Sequence, residues 1–275
     1  MRDIRLIGLD LDNTVLTSTK QMTPRVQAAI KAAIAAGMVV LPATGRAFRG
    51  LPDAFLGIAG VGYAVTSNGA KVYRLSDGAV LLSDCFDKET ALQVLDACLA
   101  LGVRTASAFV DGMAYTEGLD FAALQEVYPV GLVEYLMATR KRVDDLRAFL
   151  VQSAEKVEKF SIVFEKPELR AQLVDVLALR RDCTLTASLG SNLEVNTPTA
   201  NKGRALLALA ESLGIAPAQV MAVGDGLNDR EMVEMAGYGV AMENADPRVL
   251  AVADAVVPCS DEDGVALAIE QVLEA

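Results

Sequence analysis

Short, unbroken apolar runs that stop on a polar residue, with helical stretches between them, constrain this chain most. Leu6 to Leu9 stops at Asp10, "MVVLPATG" stops at Thr44, "VGYAVTSNG" stops at Asn68, and "VMAVGD" stops at Asp225. Continuous rather than alternating apolar residues mark strands of a parallel sheet covered on both faces. Between the first two lies "TPRVQAAIKAAIAAG", which predicts a helix with Thr23 as N-cap, Pro24 as first residue and Gly37 as stop. The alternation returns near the C-terminus: "KGRALLALAESLG", "VMAVGD", "NDREMVEMAG" with Asn228 as candidate cap, "YGVAM", a helix opening at Asp246-Pro247, "ADAVV", and a closing helix over "DEDGVALAIEQVLEA".

The middle of the chain obeys a different rule. "VRTASAFVDGMAYTE" predicts two period-2 strands around a two-residue turn at Asp111-Gly112. "KFSIVFE", a helix over "KPELRAQLVDVLAL", and a hairpin in "TLTASLGSNLEVN" turning at Gly190-Ser191 complete a mixed segment. Alternating strands predict a sheet with one open face. The expected fold class is therefore α/β, a Rossmann-like parallel-sheet core built from residues 1–83 and 198–275, interrupted by an α+β domain over 84–197.

Composition excludes several functions. The net charge of −11 is spread along the chain, which argues against nucleic acid or an anionic membrane as partner, since both call for clustered Lys and Arg. Cys85, Cys98, Cys183 and Cys259 stand far apart and read as reduced packing residues. The N-terminal charges do not suit a signal peptide, and the longest apolar run, Ala32 to Ala43, is too short to span a bilayer. A soluble cytoplasmic protein is expected. There is no histidine, so His-based acid/base chemistry and His-ligated metals are excluded, and a metal site must use oxygen ligands suited to Mg²⁺.

In an open α/β sheet, ligands bind outside the carboxyl ends of the strands, where Asp10, Thr44 and Asp225 all fall. A carboxylate there can attack phosphorus as a nucleophile. It needs a dication to offset its repulsion from the phosphate, and Asp10 and Asp225 are suitable hard-oxygen ligands. Asp12 could protonate the leaving oxygen and then activate water. Lys202 opens a helix whose N-terminus favours anions. Thr44, the Gly45 amide and Asn228 offer neutral donors. With Asp10, Asp225 and Asp229 charged and Asp12 protonated, a phosphate monoester is tolerable only with a dication present, so Mg²⁺ dependence is expected.

"DLDNT", "TGR", "NKGRAL" and "GDGLND" resemble, in order and spacing, the four motifs of haloacid dehalogenase-like hydrolases. "TSNGA", "NKG" and the C-terminal "NADPRVLAVADAVVPCSDEDGVALAIEQVL" look specifically like the Cof-type phosphatases, which carry a large α/β cap between the second and third motifs. The resemblance covers nearly the whole chain. It implies Asp10 as nucleophile and Asp12 as acid/base that also gives a backbone carbonyl to Mg²⁺. It implies Asp225 as metal ligand, Asp229 as a nearby metal-shell carboxylate, and Lys202 as phosphate clamp. The Leu11 amide, Thr44, Gly45 and Asn228 would complete phosphate binding. Asn13 stands where these phosphatases commonly have glycine.

The implied partner is a small phosphorylated metabolite such as a sugar phosphate. A phosphomutase of the same cap class shares the aspartyl-phosphate step, but no second phosphate-binding cluster is legible in the insert. Dehalogenation would leave Asp12 without a task, and a non-catalytic phosphometabolite-binding protein would not need the nucleophile. Arg46 reads as a surface or cap-facing cation and Asn68 as a turn former. Glu117, Arg140 and Arg142 are polar candidates in the insert, each better read as solvated surface.

Overall fold

The protein is described by a computed structural model over residues 3–188 and 192–274. The chain divides into two compact units. One is formed by Met1–Arg46, Leu51–Ser83 and Asn201–Ala275, the other by Ala47–Gly50 and Asp84–Ala200.

The first unit is built on a five-stranded parallel sheet, in the order Ala255–Val257, Tyr238–Met242, Val220–Gly224, Leu6–Leu9, Val39–Pro42. Every residue of Leu6–Leu9 and Val220–Gly224 is buried, which is why neither run alternates with polar residues. Leu6, Leu41, Val220 and Ala222 pack against Leu206 and Leu209 of the helix Lys202–Ser212 and Met232 of the helix Arg230–Met235. Helix Pro24–Ala35 packs against the C-terminal helix Gly264–Glu274. Gly8 has a packing reason: a Cβ there would lie 2.6 Å from the Leu206 side chain. No helix among the described residues is long and apolar enough to cross a membrane.

Helix Pro24–Ala35 starts where its sequence says it should. The Thr23 side chain accepts from the Val26 N–H, and Thr23 Oγ1 also donates to Asp263 Oδ1 at 2.5 Å. Gly37, with φ of +90°, turns the chain out of the helix. Thr23→Ala removes both contacts and is expected to lower unfolding stability by about 1 kcal/mol, measured by urea denaturation with unchanged m-value.

The run after Gly62 differs from its sequence reading as a parallel strand. Tyr63–Thr66 makes one parallel bridge, Ala43 to Val65, and otherwise pairs antiparallel with Lys71–Arg74, which pairs with Val80–Ser83. The cause is local. Ser67, Asn68 and Gly69 all have positive φ, so the chain reverses at once and Tyr63–Thr66 pairs with the strand immediately after the turn.

The second unit holds a six-stranded sheet in the order Thr184–Thr186, Leu193–Asn196, Val157–Ile162, Ala106–Val110, Met113–Thr116, Arg140–Arg142. Only the last pair is parallel. Asp111 and Gly112 have φ of +49° and +69°, the geometry a two-residue hairpin turn requires. The turn expected at Gly190-Ser191 lies outside the described residues, although the strands flanking it do pair antiparallel.

Alternation divides this sheet into two faces. Ala106, Ala108, Phe160, Ile162, Leu193 and Val195 join the core made with helices Lys88–Ala100, Leu146–Gln152 and Glu168–Leu177. The register places Ser107, Phe109, Thr116, Lys159, Ser161 and Glu194 on the opposite face. That face is polar, as the sequence pattern requires, but its centre is not open: Lys159 is 1% exposed and Glu194 3%. Their 2.6 Å ion pair neutralises the two charges at that depth.

Candidate active site

Strand register brings the polar residues of the first unit level with one another. Leu9 pairs with Val223 on one side and with Pro42 on the other, so Asp10, Asp225 and Thr44 come after adjacent strands within a residue of the same height. Asp10 is anchored by its N–H to the Val223 carbonyl at 2.9 Å. Thr44 donates its N–H to Val65 O at 2.9 Å.

Lys202 joins this edge from the start of its helix, after Asn201 caps the Arg204 N–H. Its Nζ donates to Asp10 Oδ1 at 2.6 Å and to Asp229 Oδ1 at 2.5 Å. Glycines make the approach possible. A Cβ on Gly203 would lie 2.6 Å from the Glu231 carbonyl oxygen, so the two helices could not press together there. A Cβ on Gly224 would lie 2.5 Å from the Asp229 side chain. Gly69 meets the Asn201 backbone in the same way, which ties the "SNG" turn to the helix that carries Lys202.

Asp229 is held from its other oxygen, which accepts the Asp225 and Gly226 N–H groups at 3.0 and 2.8 Å. Asp225 Oδ1 accepts from Thr14 Oγ1 at 2.9 Å. Carboxylate oxygens of Asp10, Asp225 and Asp229 lie within 4.8 Å of one another, all three residues being buried. One ammonium thus faces three carboxylates.

The titration behaviour reflects that imbalance. Burial, then the charge of Asp229, raises Asp10 well above the carboxylate range against the opposing pull of Lys202. Burial and Asp229 likewise push Asp225 up to about 7. Burial disfavours charge on Lys202 too, but Asp10 and Asp229 outweigh it, and its ammonium is held above lysine's ordinary range. The donor set is all hard oxygen and carries excess negative charge. It fits a divalent cation such as Mg²⁺.

Asp12 faces different partners. Its carboxylate takes a two-pronged contact from Arg46, Nε at 2.8 Å and Nη2 at 2.7 Å, and a third from Lys20 Nζ at 2.9 Å. Burial would raise its pKa, but the hydrogen bonds and charge of Arg46, and then those of Lys20, hold it well below the usual carboxylate range. Asp12, expected from the sequence to be protonated, is an ion-paired carboxylate in this structure. Arg46, read as a surface or cap-facing cation, has a side chain only 10% exposed and turns inward. Its adjacency to Thr44, whose Oγ1 accepts the Arg46 N–H at 3.2 Å, was the available signal.

The other candidates have these positions. Leu11 is buried directly after Asp10, and its carbonyl accepts the Leu16 N–H at 2.7 Å. Gly45 sits half-buried between Thr44 and Arg46. Asn228 is not the cap of the next helix. It lies within a single 3₁₀ turn, Leu227–Asp229, and its amide donates to Asn68 Oδ1 at 3.0 Å. Asn68 is therefore more than a turn former, for it joins the "SNG" turn to the "GDGLND" loop. Asn13, at φ of +62°, occupies the left-handed region, which asparagine tolerates better than most side chains. In the second unit Glu117 is engaged structurally, by Arg104 at 3.0 Å and the Leu146 N–H at 3.3 Å, while Arg142 is exposed and Arg140 half-buried.

Comparison with known proteins identifies the family. A family profile described as haloacid dehalogenase-like hydrolase matches residues 7–269. Phosphatase YwpJ of Bacillus subtilis (strain 168) is 30% identical over 281 residues, covering 96% of this chain and 98% of its own. The HMP-PP phosphatase of Cronobacter sakazakii (strain ATCC BAA-894) is 32% identical over 254 residues, 90% of this chain and 87% of its own. A solved haloacid dehalogenase-like hydrolase from B. subtilis superposes with a TM-score of 0.87 at 27% identity, over 97% of this chain and 99% of its own. The chain belongs to the haloacid dehalogenase-like hydrolases, in their Cof-type branch, and is an enzyme of the phosphoric monoester hydrolase class.

Proposed function

We propose that this protein is a cytoplasmic, Mg²⁺-dependent phosphatase that hydrolyses small phosphate monoesters through an aspartyl-phosphate formed on Asp10. The observation that carries the reading is a single buried ammonium, Lys202, shared by Asp10 and Asp229 beside the carboxylate of Asp225. Asp10 attacks phosphorus while the bond to the leaving oxygen breaks, and Lys202 neutralises the phosphoryl oxygens. The Leu11 and Gly45 amides, the Thr44 hydroxyl and the Asn228 amide donate to the same oxygens. Mg²⁺ would be held by Asp10, Asp225 and the Asp12 carbonyl, with Asp229 close by, and when bound supplies charge screening between nucleophile and phosphate.

Asp12 gives its proton to the leaving oxygen and takes one from the water that releases phosphate. To do so it must exchange its Arg46 and Lys20 contacts for a proton at the start of each cycle. Asp12→Asn is accordingly expected to lower kcat about 10²–10⁴-fold on alkyl and sugar phosphates, and much less on aryl phosphates, whose leaving groups need no proton. Equal losses on both substrate types would contradict the assignment.

The HMP-PP phosphatase among the relatives acts, by its name, on a small phosphorylated metabolite, and we extend that class, not that substrate, to this chain. The test is a panel of phosphate monoesters with Mg²⁺, read as phosphate release and ranked by kcat/KM. Release from several monoesters without a bisphosphate activator is the expected result. A requirement for the activator, with product isomer and no free phosphate, would replace the hydrolase with a mutase.

A further inference from the structure

We infer that the second unit carries an oxyanion-binding site of its own at Arg140, suited to the carboxylate or phosphate group of a small metabolite. Arg140 ends the helix Val130–Thr139 and opens the edge strand Arg140–Arg142. Its pairing with Ala114 puts it on the polar face of the sheet, the face that holds Phe109 and Lys159. The guanidinium carbon lies 5.6 Å from the Phe109 ring centre and 5.4 Å from that of Tyr135.

Two ordinary explanations account for part of this arrangement. A cation at a helix C-terminus is favoured by the helix dipole, and a charged edge strand discourages pairing with other chains. Neither requires the hydrogen-bonding pattern seen. One arm of the guanidinium, Nη1, donates to Thr139 Oγ1 at 2.7 Å. Nε is buried and has no hydrogen-bond partner, the one such side-chain atom among the described residues. A buried N–H left unpaired costs about 1–3 kcal/mol, so an unmet donor held between two rings needs a reason.

The electrostatics point the same way. Lys159, 4.8 Å from the centre of the Phe109 ring, is already neutralised by Glu194. Arg140 has no carboxylate partner among the ion pairs of the described residues, and Arg142 adds a second cation on the same face. The Nε–Nη2 edge of a guanidinium matches the two oxygens of a carboxylate or phosphate, a fit an ammonium cannot supply. Because Nε is shielded while the residue as a whole is half-exposed, an oxyanion reaches that edge through rotation of the side chain, with the strand unmoved.

The test uses the full chain. The Nε–H resonance of Arg140, identified by its loss in Arg140→Lys, is tracked while malonate or inorganic phosphate is added at constant ionic strength. A saturable displacement in either arm supports the site. Response to malonate alone assigns it to carboxylates, response to phosphate alone to phosphate esters. The Leu11 backbone amide, in the first unit, must stay in place through the malonate titration. Absence of saturable movement in both arms overturns the inference, as does an equal displacement by chloride or a displacement that always tracks Leu11.

Discussion

Asp10→Asn is expected to lower kcat by a factor on the order of 10⁴–10⁶ without lowering Tm. The two halves of that statement have different causes. In the proposed mechanism, loss of the carboxylate removes the group that carries the phosphoryl intermediate. The stability half comes from the cost of charge at this position. Burial and the neighbouring Asp229 raise the folded-state pKa of Asp10, so between its ordinary and its raised pKa the folded chain binds a proton that the unfolded chain has released. Stability contributed by Asp10 is therefore present at low pH and is lost as pH rises, and the neutral amide escapes that loss. Thermal melts at pH 8 in chelator check it: Asp10→Asn should melt no lower than the parent. A lower Tm together with lower activity would mean that Asp10 is chiefly structural.

Lys202→Met is expected to lower stability sharply. It leaves the buried carboxylates of Asp10 and Asp229 without their shared ammonium, and breaking a buried pair in this way costs about 3–5 kcal/mol. In a chain of this size that is a fall in Tm of about 10 °C. The sign of the pH effect is fixed. At low pH Asp10 protonates readily because its pKa is already raised, so the loss is smaller at pH 5 than at pH 8. Added Mg²⁺ should recover part of the Tm at pH 8, since a ligand that binds only the folded chain stabilises it by mass action. A Lys202→Met protein with the parent's Tm at pH 8 in chelator would contradict the geometry described for the cluster.

The core of the fold was legible because its strands are buried on both faces and cannot hide their pattern. Thr23, Pro24 and Gly37 bounded a helix for reasons confined to single residues. The level strand ends of Asp10, Thr44 and Asp225 came from parallel pairing. Other features depended on backbone conformations that the residue types do not announce, or on partners far apart in sequence. The antiparallel turn of Tyr63–Thr66 required three consecutive positive φ values, of which only that of Gly69 is ordinary. Helix Lys88–Ala100 offers no strong stop signal beyond Gly102. The inward turn of Arg46 needed Asp12 as a partner, 34 residues away. Burial of Lys159 needed Glu194, and an alternating strand announces a polar face without saying whether water reaches it.

A covalent phosphoryl group on Asp10 is the step on which the proposed chemistry turns. Rapid acid quench during turnover of a fast monoester with Mg²⁺, and then peptide mass analysis, tests it directly. The expected result is one phosphoryl group on the peptide containing Asp10, formed and lost at rates compatible with kcat and absent from Asp10→Asn. Steady phosphate release with that peptide unmodified at every quench time, or with the label on another residue, would contradict it.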